Sequence, residues 1–461
     1  MAWVRYKPVM PIEQSSKGWR RVRSLVPRPT WVLLPRGTRG RRPLRLRFGA
    51  QLALFVLLGL VVLLGSASLL LNDVGGALRL GPLGPREQLD IVKISLSIVA
   101  GIGGVIALTV AYRKQKLGEA AHGREEVKLF TERFGACVAQ LGDESPAVRL
   151  GGVYALAHLA DDWETGRQTC IEVLCAQLRM PYPADQPNDP EAHATFLAFR
   201  EVRYAIWRII GDHLRPGATQ RSWEGYNFNF TGALIDGVDL HGAVFSGGVV
   251  DFSRTTITGK FFLRACVYSG ARVLFDWAEF SDVDADFDQS DIYDGSLSFL
   301  ATKFISGSIS FFGSKLVDGK FNFSFAEFSG ADVYFFALEC TAGTMSFVNA
   351  EFPHGGVWFE SSDFCGSDIP FVAAKFCGAY VCFNRVKFCG SNVSFERAEF
   401  SGSEVPFTDA TFSAGLVDLS SPGTYSRPPI LDPSVASCGI LALPESSAQT
   451  AETTYGDPQR P

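Results

Sequence analysis

Two side-chain series in this 461-residue sequence have the types and spacing to do chemistry. Asp282, Asp284, Asp286, Asp288, Asp291 and Asp294 crowd six carboxylates into one short stretch, and oxygen ligands at that density could hold calcium. Their spacing follows no calcium loop, so a solvated acidic face accounts for them better. Cys365, Cys377 and Cys389 recur at twelve, each directly after a phenylalanine. Thiolates repeated in this way could form a thiol ladder or hold a soft metal. Copying of a small turn residue along with the repeat explains the same spacing. His158 and His213 each stand alone on a helical segment and read as ordinary polar positions. Paired metal histidines, HExxH, a P-loop, GxSxG and GxGxxG do not occur in a suitable context. The ten cysteines include no CxxC pair and read as reduced thiols in a cytosol. The sequence therefore nominates no catalytic, cofactor-binding or metal residue, and a non-enzymatic protein without a cofactor is expected.

What positions these residues is a repeat. Phenylalanine returns every twelve residues at Phe275, Phe287, Phe299, Phe311, Phe323, Phe335, Phe347, Phe359, Phe371, Phe383, Phe395 and Phe407. A second column, offset by five, runs from Phe280, Ile292 and Phe304 to Phe400 and Phe412. An apolar residue precedes each member of the first column by two, as at Val273 and Val333. A small one precedes most of the second, as at Ala278, Ser290 and Ala326. A fixed period of this kind marks a solenoid, with the twelve phenylalanines as its inward structural ladder. Upstream, FNFTGALIDGVDLHGAVFSG keeps a spacing of five through Phe230, Ile235, Leu240 and Phe245, and one six-residue step, Ile257 to Leu263, breaks the register.

Residues 226–414 resemble the pentapeptide-repeat family, whose units read A(D/N)LxX with the central Leu or Phe pointing inward. The later repeats, as in VSFERAEFSGSE, resemble its diverged branch with 12-residue (5+7) units. RFGACVAQLG, VRLGGVYALAHLA and SWEGYNFNFTGALIDG, placed after two apolar segments, resemble membrane-anchored actinobacterial members. The resemblance implies a right-handed quadrilateral β-helix with four short faces per coil. Two twelve-residue repeats then make one coil, twice the repeat in length. Thirty-two inward centres give eight coils and a rod of about 38 Å at the strand spacing. On that coil Cys365 and Cys389 stack on adjacent turns, and Cys377 lies opposite. Ser/Gly-rich pieces such as SGAD and CGSN supply turns.

The chain before the repeat is of another kind. Residues 1–47 carry thirteen Lys/Arg against the single acid Glu13 and read as a disordered basic segment. The run Arg39, Arg41, Arg42, Arg45 and Arg47 suits anionic headgroups, with nucleic acid as the sharper alternative. Residues 48–71 are uncharged and long enough to span a bilayer; the run is too long for a cleaved signal peptide. A loop at 72–90 leads to a second span, 91–112, with Lys93 snorkelling at its start and Arg113, Lys114 and Lys116 after it. Ala100, Gly101, Gly103 and Gly104 would let the two spans pack closely. Basic outer flanks place both termini and the repeat in the cytosol of a two-span membrane protein, and the actinobacterial resemblance implies a bacterial cell membrane. Residues 113–225 form a helical linker module: VKLFTERFGACVAQLG closing on Gly142, a helix opened by Ser145 and Pro146, one over about 166–179, and one over 191–214. Trp207 and Trp223 should pack where the solenoid begins. The β-helix occupies 226–415, residues near 415–430 cover its far end, and 416–461 make a disordered tail.

The expected function is a protein-interaction scaffold: a cytosolic β-helix held at the bilayer, with an unidentified protein on its faces, no nucleic acid, and homo-oligomerisation open. Residues 226–415 hold 23 Asp/Glu against 11 Lys/Arg. Because some pentapeptide-repeat proteins resemble duplex DNA and engage gyrase, a DNA-mimicking inhibitor or protector of DNA gyrase is the rival. The anchor argues against it, since it would hold the rod away from most of the nucleoid. An accessory subunit of a membrane signalling or transport assembly is a third reading.

Overall fold

The computed structural model describes residues 48–71, 84–181, 183–431 and 441–442. The readings of 1–47, of 72–83 and of most of the tail fall outside these residues. The chain divides into two compact units, 1–121 and 122–461. The first contains helix α1 (Phe48–Leu71) and the start of α2 (Pro85–Leu141). Among the described residues one segment, Val92–Glu119, is long and apolar enough to cross a membrane, and the apolar core of α1, Val56–Gly65, is shorter. Two expectations change here. Residues 85–90, expected in a loop, are helical, because Pro85 at the first turn costs a helix no hydrogen bond. The separate helices expected before and after residue 113 are one continuous helix, since isolated glycines such as Gly118 and Gly123 cost only about 1 kcal/mol each. Among the described residues, no atom outside the helix itself lies within 4 Å of a Cβ placed on Gly101, Gly103 or Gly104.

The second unit is a helical module on a solenoid. Helices α3 (Pro146–Asp162), α4 (Arg167–Arg179) and α5 (Pro190–Leu214) follow the expected bounds. Pro146 opens α3, and Asp189 caps α5 by accepting hydrogen bonds from the backbone of Glu191 and Ala192. A right-handed parallel β-solenoid of about eight coils follows. Its four columns of short strands are numbered here as faces, by their inward residues. Face 1 carries Val250, Val273, Leu297, Phe321, Met345, Ile369 and Val393, and face 2 carries Ile257 and then Phe280, Phe304, Phe328, Phe352, Phe376 and Phe400. Face 3 carries Val238, Phe261, Ala285, Ile309, Val333, Val357, Val381 and Val405, and face 4 carries Phe245, Tyr268, Ile292, Leu316, Cys340, Phe364 and Phe388.

The coil of two full repeats holds from residue 273, where Val273 pairs with Leu297 and Leu297 with Phe321, until Glu399 pairs with Thr424, one residue further on. Before residue 273 the circuit is shorter. Phe228 pairs with Val250 and Val250 with Val273, so the first circuit falls two positions short of the later ones and the second falls one short. The extra residues enter at the corner between faces 2 and 3, where the register shifts at Ile235/Gly237 and again at Ile257/Gly259. The broken step from Ile257 to Leu263 is this widening.

The twelve-residue column of phenylalanines is two stacks. Phe275, Phe299, Phe323, Phe347, Phe371 and Phe395 stack with centroids 4.6–5.1 Å apart. Phe287, Phe311, Phe335, Phe359, Phe383 and Phe407 stack at 4.7–5.0 Å on the opposite corner. The stacks meet edge to face, as at Phe299 and Phe311, 5.9 Å apart at 90°. All twelve are buried. Each opens a tight turn whose third residue has φ between 52° and 64°, from Trp277 and Gln289 to Arg397 and Asp409, with glycine there only at Gly313. Buried hydroxyls link the coils where the repeat carries Ser or Thr. Ser314 donates to the Phe287 carbonyl at 2.9 Å and accepts from the Ser290 backbone at 3.1 Å.

The helical module closes the first coil. The Gln168 amide takes both backbone groups of Asn227, donating to its carbonyl at 2.9 Å and accepting from its N–H at 3.0 Å. Arg179 donates to the Asn229 carbonyl, Arg203 to that of Leu234 at 2.5 Å and Arg215 to that of His241 at 3.0 Å. Side chains thus pair sheet-edge groups that a bare end would leave open. Trp207 lies 4.5 Å from Phe230, and Trp223 is fully buried against His213, both at the solenoid's entry as expected. At the other end the strands run past the expected limit. Thr411–Asp418 pairs with Lys387–Ser394, Thr424–Tyr425 with Glu399–Phe400, and Leu441–Ala442 with Val417–Asp418. These parts of 416–461 are therefore solenoid, not disordered tail, because a parallel edge continues to recruit strands from whatever follows it.

Candidate functional site

The chemistry-bearing series sit on the outside of this frame. Asp284 and Asp286 flank the inward Ala285 on face 3. Asp282 is tied to Ser306, whose hydroxyl donates at 3.0 Å, and Asp288 receives Ser310 Oγ at 2.5 Å and the Phe312 N–H at 2.8 Å. Burial pushes the Asp288 carboxyl above its usual range, and nearby Asp286 adds to the rise. Asp282 and Asp288 are thus spent on stitching coils. No group of three or more His, Cys, Asp or Glu among the described residues could hold a metal ion. Cys365 and Cys389 stack on adjacent coils and are joined in a disulfide, which overturns the uniformly reduced reading. Parallel in-register coils bring these two residues to a Cα separation of 4.5 Å, within bridging range. Cys377 is exposed and unpaired. His213 is buried, its Nε2 3.1 Å from Asp161 Oδ2, and Trp223 Nε1 donates to the other oxygen at 2.9 Å. His158 is exposed and apart from both.

The outward columns differ sharply from face to face. Face 2 carries an ion ladder, with Glu279 to Lys303 at 3.9 Å and Glu351 to Lys375 at 2.7 Å. Face 4 repeats it, with Lys315 to Glu339 at 2.8 Å and Lys387 to Asp363 at 3.1 Å. Such exposed pairs contribute about 0–1 kcal/mol each, and they also neutralise part of the acid excess. Face 1 shows hydroxyls and amides, among them Ser298, Asn322 and Ser346. Among the described residues face 3 alone builds a contiguous aromatic row: Tyr334 stacks on Trp358 at 4.7 Å and meets Phe336 at a tilt at 5.4 Å, and Trp358 approaches Tyr380 at 6.3 Å. Phe312, 47 % exposed, lies one coil earlier.

Comparison with family models, curated proteins and solved structures gives no match.

Nearer the helical module, face 3 runs beneath α5, and a cavity of about 520 Å³ opens between them. Tyr204, Trp207, Arg208, Asp212 and Arg215 line it from the helix side, and Gly237, Val238, Asp239, His241, Lys260 and Phe262 from the coils. Burial acts to raise the Asp239 carboxyl, but hydrogen bonds from His241 and the charge of Arg215 outweigh it and hold the group below its ordinary value. Neither the row nor the cavity is apparent as a sequence motif. The row could have been found by reading every twenty-fourth outward position, which sets Trp358 over Tyr334 and leaves Tyr380 two positions short of the next step.

Proposed function

We propose that this chain is a membrane-anchored pentapeptide-repeat protein whose solenoid is a non-enzymatic scaffold for another protein. The observation that carries the proposal is the half-buried aromatic row of face 3, set on a solenoid whose ladder phenylalanines are all consumed by the core. Clustered aromatic side chains supply contact area at low entropic cost, which is why they concentrate in interface hot spots. The partner would present apolar side chains to Tyr334 and Trp358. The ion ladders of faces 2 and 4 support this reading over duplex mimicry, which needs unneutralised acid rows. The anchor would be α1 together with the apolar part of α2. The thirteen basic residues of 1–47, and Arg113, Lys114 and Lys116, favour cytosolic termini. The Cys365–Cys389 bond pulls the other way, because disulfides persist in oxidising compartments. A reporter fused after Pro461 decides: activity only outside the cell overturns the cytosolic placement.

Placing a photo-crosslinking residue at Trp358 in cells should yield a defined adduct that is lost in a Tyr334→Ala, Tyr380→Ala background. The same residue at Ser346 on face 1 should yield none. Equal adducts from both faces would refute the assignment of face 3.

A further inference from the structure

The cavity under α5 is chemically unlike the rest of the solenoid. Residues 273–415 hold 20 Asp/Glu against 7 Lys/Arg, whereas residues 226–272 hold 3 against 4. The cavity lies in that less acidic part, and α5 adds Arg208 and Arg215 to its mouth. Its charges are unevenly satisfied. Arg215 is paired with Asp212 at 2.8 Å, and Asp239 with His241 at 2.7 Å. Arg208 Nη2 meets only the neutral Tyr154 hydroxyl, at 2.5 Å, and Lys260 makes no ion pair among the described residues. Arg208 and Lys260 are therefore the cations of the lining that stand outside those two pairs, which engage both of its carboxylates, Asp212 and Asp239. The apolar lining is the half-buried Phe262, with Trp207 and Val238 buried beneath it. Gly237 keeps that wall clear, since a Cβ there would meet Tyr204 Oη at 2.8 Å.

We propose that this cavity binds a small amphipathic anion, a flat apolar body lying on Phe262 with its single anionic head on Lys260 and Arg208. An apolar wall behind convergent cationic groups is the usual composition of such a site. The inference does not rest on the scaffold reading, because it concerns a different part of face 3 and a small ligand.

The full chain in lipid nanodiscs, titrated calorimetrically with phenyl phosphate, inorganic phosphate and benzyl alcohol, tests it. Phenyl phosphate should bind roughly tenfold more tightly than inorganic phosphate, the difference reporting burial of the ring. Benzyl alcohol should bind far more weakly than either. Lys260→Gln and Arg208→Gln should each weaken phenyl phosphate by about fivefold, the effect of one partly screened charge. Phe262→Leu and Phe262→Ala should weaken phenyl phosphate and leave inorganic phosphate unchanged. Unchanged affinity in both charge variants would overturn the site. So would equal binding of phenyl phosphate and benzyl alcohol, equal binding of the two phosphates, or no binding of phenyl phosphate.

Discussion

Gly307 and Gly313 lie close together on one coil, both with positive φ, yet alanine should affect them very differently. Gly313 has φ 64° and occupies the corner where other coils place Gln289 at 54° and Ala337 at 52°. A Cβ on Gly313 meets nothing within 4 Å. Its cost is therefore conformational, about 1 kcal/mol for an L residue in the left-handed region, partly offset because alanine also restricts the unfolded chain. Gly307 has φ 99°, and a Cβ there would stand 2.1 Å from the Val283 carbonyl oxygen and 2.5 Å from its nitrogen. Both are backbone atoms of the coil beneath, held by the pairing of Gly307 with Val283. Relief requires opening that pairing, and one or two unmet backbone groups together with the strain bring the cost to about 3–5 kcal/mol. Thermal unfolding of the full chain in nanodiscs, followed by circular dichroism, measures both variants. Gly313→Ala should lower Tm by no more than about 2–4 °C, and Gly307→Ala should lower it severalfold further. Because coils interact with their nearest neighbours, hydrogen exchange should accelerate first at Val283 and Ile309. A Gly307→Ala variant as stable as Gly313→Ala would refute the close-approach argument.

Replacing Phe335 or Phe359 with Asp should unfold the adjacent coils by burying a carboxylate in an aromatic stack, seen as a lost or split melting transition; an unchanged profile would reject the inward assignment. Gln168→Ala combined with Arg179→Ala should expose the backbone of Asn227 and Asn229, raising amide exchange in the first coil while the coils after residue 320 keep their protection. Non-reducing digestion should yield a peptide joining Cys365 to Cys389 and leave Cys377 open to alkylation; the reverse pattern would count against the bond. The Asp239 carboxyl, held below its ordinary value by His241 and Arg215 against the opposing effect of burial, stabilises the fold at neutral pH and loses that contribution as pH falls through the folded-state value. Asp239→Asn should therefore be less stable than the native chain at pH 7 and indistinguishable from it in strong acid.

The core was legible because it is periodic. A constant spacing of twelve, taken with the four faces per coil that the resemblance implies, sets every second repeat in register and hence Cys365 over Cys389. The helices α3, α4 and α5 were legible from Ser145–Pro146, the prolines after residue 180 and apolar spacing. What could not be read depends on three-dimensional closure. Division of one phenylalanine column into two stacks follows from which corner of the coil each residue occupies. The edge-capping roles of Gln168, Arg179 and Arg203 join residues that are 31–59 apart in sequence and share no motif. The cavity walls come from α5 and two successive coils, and the strands at 424–425 and 441–442 are set by an edge already formed. The continuity of α2 is not legible in the sequence, because a switch from apolar to charged composition resembles an element boundary while backbone hydrogen bonding is indifferent to it.

The capped first coil also sets an order of events. During synthesis the helices leave the ribosome before any strand, and α4 and α5 then offer donors and acceptors matched to the backbone of Asn227, Asn229 and Leu234. The first coil thus has a template, and every later coil finds its predecessor in place, so winding advances in step with translation. Parallel pairing at long range is otherwise slow. Here each new turn closes against a neighbour only one circuit behind it, and the growing end is the one unpaired edge the nascent chain must protect.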